Sequence, residues 1–272
     1  MAPGEHRVPV LYLAPWADIG GSDKGTLDWF RFLDRDRFRP SLITTQPSPN
    51  RRLAELTRYA EEVWDLPELM QGNEFARFIV GFIHTRGIRV LHIMNSRLGF
   101  DLLPDIAGLP ERPRVVVQLH VEEPDSSGYV RYVTTRYGNL VDAFSVSSQA
   151  LSDRLSAYDV PVAKRRLIRT GVDAEREFSP HRVRPVESLH RELLHILSPV
   201  RITAQKDPLL MVQVAARLHA SGLGFCLHVL GEGDLTVALR RAIDAAGLRD
   251  TVVMHGGAWI WPRGTRLATS CC

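Results

Sequence analysis

The chain has 272 residues, enough for two modest domains or one large one. Hydrophobic residues at 44% and charged residues at 24% describe an ordinary globular protein, and a formal net charge of +3 argues against a dedicated nucleic-acid binder. Cys226, Cys271 and Cys272 draw neither a disulfide framework nor a zinc spacing, no apolar signal core or membrane-length run occurs, and a reducing cytoplasm is the default compartment.

Short apolar β-branched runs alternate with helical patterns along most of the chain. Val8–Ala14 predicts a first strand, followed by a loop to Gly21 and a helix over about Lys24–Leu33. Ser41–Thr45 predicts a second strand and Arg51–Glu62 a helix. Phe75–Thr85 predicts another helix, leading to a strand at Arg89–Met94. Arg114–Leu119, Ala143–Ser147 and Arg166–Thr170 predict further strands, with helices near Gly128–Tyr137 and Gln149–Tyr158. Strands separated by helix-length segments imply βαβ units and a parallel sheet covered on both faces. Residues 178–186, rich in proline and basic side chains, break the pattern and predict an interdomain connection. A second α/β unit starts at Leu193: a strand, a basic loop, a helix over Leu209–His219, a strand at Gly224–Leu230, a glycine turn, a helix at Leu235–Ala246 and a strand at Thr251–Met254. The expected fold is α/β with two Rossmann-like doubly wound domains, residues 1–186 and 187–272, the second incomplete.

The loop Ser198–Pro208 carries the most chemistry. Asp207 is placed to cap the next helix and Pro208 suits its first position. Arg201 and Lys206 therefore sit between a strand end and a helix start, where free N–H groups and the helix dipole favour an anion. Two cations there suit a diphosphate; the competing reading is a solvated basic pair. Gly231 and Gly233 follow the next strand and suggest a second loop on the same phosphate-facing edge. In the first half, Gly20 and Gly21 open the first strand-to-helix loop, where backbone N–H groups can meet a phosphate or the turn is merely tight. That loop lacks the dinucleotide glycine pattern, which speaks against a nicotinamide dehydrogenase. His120 ends a strand at the sheet edge where ligands gather, followed by an acidic stretch from Glu122 to Gly128. Asn95 and Ser96 close another strand there and suit hydrogen bonds to hydroxyls.

Taken in order over about Val8–Gly256, these residues resemble the retaining glycosyltransferases of family 4, which have the GT-B architecture. The resemblance rests on the Gly20-Gly21 loop and the strand-ending His120. Asp142-Ala-Phe-Ser-Val-Ser-Ser148 is similar to the family's "aD.vi..S" element. Thr170-Gly-Val-Asp173 with Phe178-Ser-Pro180 is similar to "NGVD…F.P", threonine replacing asparagine. Ser198–Pro208 resembles "GRL…KdP" without the glycine-led opening. Gly231-Glu-Gly233, Gly247-Leu248 and Val252–Gly256 resemble "G.G…L…LgL…V.f.G".

The resemblance implies a nucleotide-sugar donor on the second domain and a glycan or lipid-linked acceptor mainly on the first. Arg201 and Lys206 would stabilise the departing diphosphate, with neither metal nor cofactor. Gly20, Gly21, Gly231 and Gly233 would let the donor approach the backbone, and His120 would contact the transferred sugar. Nucleic acid is not an expected partner; peripheral contact with a membrane remains compatible with the sequence. The family's pair of donor-site glutamates has no counterpart, since Glu232 is the last glutamate in the chain. The tryptophan- and arginine-bearing tail after Gly256 predicts a shifted reading frame or premature end. Two other readings stay open: a non-catalytic nucleotide-sugar-binding remnant, and a phosphate-ligand oxidoreductase that would bind nicotinamide tightly.

Overall fold

A computed structural model describes residues 6–122, 128–176, 179, 181 and 192–257. Contacts divide the chain into two units, Met1–Thr170 and Gly171–Cys272. The expected boundary at 186–187 and the tail from residue 258 lie outside the described residues. So does the expected connection at 178–186, apart from Ser179 and His181.

In the first unit the order is β1 (Val8–Ala14), α1 (Gly21–Phe32), β2 (Phe38–Thr44), α2 (Leu53–Leu56), β3 (Glu62–Asp65), α3 (Leu66–Leu69) and α4 (Phe75–Thr85). It continues with β4 (Val90–Met94), α5 (Arg97–Asp101), α6 (Leu103–Ala107), β5 (Arg114–Leu119), α7 (Tyr129–Tyr137), β6 (Ala143–Val146), α8 (Gln149–Ala157) and β7 (Arg165–Leu167). The strands form one parallel sheet in the order β3-β2-β1-β4-β5-β6-β7. Because side chains alternate along a strand, β1 serves two cores. Leu11 and Leu13 join Ile79, Phe82 and Val117 on one face. Tyr12 and Ala14 join Leu27, Phe30 and Met94 on the other. Sheet order reverses between β1 and β4, so their carboxyl ends flank the switch point where such sheets bind ligands.

Two expectations need correction. The helix expected over Arg51–Glu62 is confined to Leu53–Leu56, and Glu62–Asp65 is a strand paired to Ser41–Thr44. Val63 and Trp64 gain more by packing beside β2 than Thr57 and Tyr59 gain in a longer helix, where β-branched and aromatic residues fit poorly. The short helices at 97–107 carry no strong period and were not anticipated; Ser96 starts the first by accepting the Gly99 N–H at 3.2 Å.

The second unit contains β8 (Leu194–Pro199), α9 (Pro208–Ala220), β9 (Phe225–Leu230), α10 (Thr236–Ala245) and β10 (Val252–Met254). Its described strands form a parallel three-stranded sheet, β10-β9-β8. Phe225, Leu227 and Val229 pack with Val212, Leu239 and Ile243, so the two helices cover that face. The Rossmann-like α/β expectation holds in both units, the second being the smaller. No helix among the described residues is long and apolar enough to cross a membrane.

Candidate functional site

In the second unit the loop after β8 is pinned by Ile202, whose side chain is fully buried. Its N–H donates to the Glu232 carbonyl at 3.0 Å, and its own carbonyl accepts the Leu235 N–H at 3.0 Å. A 3-10 turn at Ala204–Lys206 follows, and Asp207 takes a left-handed conformation with φ 44°. Asp207 caps α9 by accepting the Leu210 N–H at 3.3 Å, as its position before Pro208 suggests. This anchoring leaves Arg201 and Lys206 exposed, and neither forms an ion pair among the described residues. The arrangement is a fixed backbone frame carrying two cations at a helix amino terminus, which can receive an anion.

The loop after β9 lies directly against that frame. A β-carbon on Gly233 would stand 2.2 Å from the Ile202 carbonyl oxygen. The glycines thus permit two loops to meet, a packing reason that stands beside any role toward a ligand. The Glu232 carboxylate accepts the Gly257 N–H at 2.8 Å.

In the first unit Gly20 is extended, with φ −176°, and precedes α1 directly, so the helix begins three residues earlier than expected. Asp23 in the first turn is buried, accepts the Asp18 N–H at 3.2 Å, and has its pKa raised by that burial. Gly20 faces this carboxylate closely: a β-carbon would lie 2.6 Å from Asp23 Oδ2. Gly21 is exposed, and a β-carbon there would meet no heavy atom within 4 Å. Nothing among the described residues therefore requires glycine at position 21.

His120 stands just past β5, half-buried, and burial holds its pKa below the usual imidazole value. Gln118, two residues earlier on the same face, places Nε2 3.1 Å from His120 Nε2. Gln118 Oε1 accepts the Tyr12 hydroxyl at 3.2 Å, so the amide is oriented with its N–H groups toward the histidine. His120 Nε2 is then the acceptor, and the neutral ring carries its proton on Nδ1. Tyr12 also lies 3.2 Å from Thr26 of α1, tying the histidine to the helix that follows the Gly20-Gly21 loop. Sequence reasoning missed Gln118 and Tyr12; the alternation of β5 places Gln118 beside His120 and is the signal that could have found it.

Other expected contacts have structural work. Ser96 is fully buried and is used as a helix cap, which removes it from hydroxyl recognition. Asn95 is half-buried with φ 48°. Asp142 Oδ2 accepts the Val115 N–H at 2.8 Å and an Arg112 contact at 2.9 Å, fixing the start of β6. Glu122 is held by Arg154, and residues 123–127 of the acidic stretch lie outside the described residues, as do Phe178 and Pro180.

The family model of Glycosyltransferase Family 4 matches residues 19–176, more than half of the chain. No curated protein matches it. Among solved structures it is similar to Anabaena HepE in complex with UDP and glucose, with TM-score 0.72 and 17% identity over 92% of this chain and 70% of that one. It is also similar to a glycosyltransferase from Rickettsia africae, with TM-score 0.67 and 15% identity over 92% of this chain and 68% of that one. Sucrose-phosphate synthase from Thermosynechococcus elongatus gives TM-score 0.70 and 15% identity over 92% and 71%. Identities this low establish a shared fold.

Proposed function

The chain belongs to Glycosyltransferase Family 4, and from that premise we propose that it moves a sugar from a nucleoside diphosphate sugar to a glycan or lipid-linked acceptor, with retention. The observation that carries this reading is the exposed pair Arg201 and Lys206 on a backbone-pinned loop before α9. As the glycosidic bond breaks, negative charge builds on the leaving diphosphate. A guanidinium and an ammonium carried on a pinned backbone at the positive end of a helix lower that charge's energy without having to reorganise. No metal or cofactor enters this step. His120, held neutral with its Nδ1–H available, is the proposed contact to the transferred sugar, and the open position at Gly21 leaves room for a donor group at the backbone. HepE is solved with UDP and with UDP-glucose, which supports a nucleotide-sugar donor here.

Binding without turnover is a second reading, favoured by the three-stranded sheet of the described second unit. Calorimetric titration with nucleoside diphosphates, followed by a donor-hydrolysis assay, separates the two. Binding with turnover supports transfer, binding alone supports the second reading, and silence in both defeats the diphosphate assignment. A protein acting on lipid-linked acceptors would also sediment with vesicles carrying them, which tests peripheral membrane contact.

A further inference from the structure

Three histidines far apart in sequence line one face of the second unit's sheet. His195 on β8 is directly opposite Cys226 on β9, and His228 lies two residues further along β9 on the same face. His195 Nδ1 is 2.9 Å from His228 Nε2, and His228 Nδ1 is 3.0 Å from His255 Nε2. The neighbouring rings stack with centroids 5.2 Å apart and planes 26° apart. Cys226 and His228 are buried, at 0% and 2% exposure. One ligand-capable atom from each of His195, Cys226 and His228 lies within 4.8 Å of the others.

We propose that His195, Cys226 and His228, with Cys226 reduced, form a binding site for a divalent cation of the zinc class. Two imidazoles and a thiolate suit a borderline-soft ion and not magnesium or calcium, which require oxygen ligands. Tetrahedral zinc with Zn–N near 2.0–2.1 Å needs ligand nitrogens about 3.3 Å apart. The 2.9 Å pair would have to open by only a few tenths of an ångström. His228 Nδ1 is in contact with His255 Nε2, the second contact that metal-bound histidines require: with the proton on Nδ1 it donates to His255, which orients the ring and leaves Nε2 as the ligand. His255 is thus a positioning residue.

Cys226 is disulfide-bonded in this structure, so reduction comes first. A phosphine supplies the two electrons: its phosphorus becomes the phosphine oxide, taking oxygen from water, while the protein disulfide takes water's two protons and becomes two thiols. On metal binding the Cys226 thiol loses its proton to water, and the proton of His195 resides on Nε2 so that Nδ1 faces the ion.

The test uses the full chain, stripped with a chelator, reduced with a phosphine and titrated with Co²⁺. The expected result is one Co²⁺ per chain, with tetrahedral visible bands and a thiolate-to-cobalt charge-transfer band that Zn²⁺ abolishes. The disulfide form should lack that band. Cys226→Ser should remove it, and His195→Gln, on the half-buried edge strand, should weaken binding at least tenfold should the serine variant fail to fold. His255→Phe should retain the band but bind roughly 10–100-fold more weakly. Absence of the band from the reduced wild-type chain, its survival in Cys226→Ser, or unchanged affinity in His195→Gln overturns the proposal.

Discussion

Gly231 lies so close to the Val200 carbonyl that a β-carbon would stand 2.0 Å from the oxygen. Its φ of 146° is also one that L side chains rarely adopt. Gly231→Ala must push two loop backbones apart, at a cost of about 1–3 kcal/mol or more. Urea unfolding should show this as a lower midpoint at unchanged slope. An unaltered midpoint would mean that the two loops do not meet in solution.

Gly21→Ala provides the opposite case. With no atom of the described residues within 4 Å of the added carbon, stability should change by less than about 0.5 kcal/mol. Donor turnover should nevertheless fall if a donor group approaches the backbone there. Turnover equal to wild type removes Gly21 from the site.

His92 predicts an acid limit to the stability of the first unit. Its ring is buried among Tyr12 and Trp29, its Nε2 has no hydrogen-bond partner among the described residues, and burial pushes its pKa down to about 4. Because the unfolded histidine titrates near 6.5, the unfolded chain binds more protons between those values. Stability from this group is therefore complete above about pH 6.5 and is lost as pH falls toward 4, by about 2 kcal/mol at pH 5. Denaturation at pH 7.5 and 5 should show that loss, and His92→Leu should reduce it. An equal pH dependence in the variant contradicts the assignment.

His120→Ala should lower donor turnover on the order of 10²-fold, the usual cost of losing one well-placed hydrogen-bonding group at a reaction centre, while leaving the fold intact. Gln118→Leu should produce part of the same loss, since Gln118 orients the ring. Turnover in His120→Ala equal to wild type removes the histidine from the reaction.

Much of the fold is legible from hydrophobic period alone. Phe75–Thr85 and Arg114–Leu119 fall where the pattern places them, because a long amphipathic helix and a buried strand have unambiguous periods. Glu62–Asp65 is not legible, since a four-residue edge strand with acidic ends is specified by its neighbour β2. The Arg201 and Lys206 loop was readable because Asp207 and Pro208 announce the helix start. The close approach of Gly231 and Gly233 to that loop was not, and neither was the histidine column. His195, His228 and His255 are separated by helices and become neighbours only through strand register.

Calorimetric titration of the full chain with UDP asks whether Arg201 and Lys206 hold a diphosphate. UDP should bind measurably, more weakly as salt rises, and roughly 10–100-fold more weakly in each of Arg201→Ala and Lys206→Ala, as the loss of a charge-assisted contact implies. UDP affinity unchanged in both variants would contradict it.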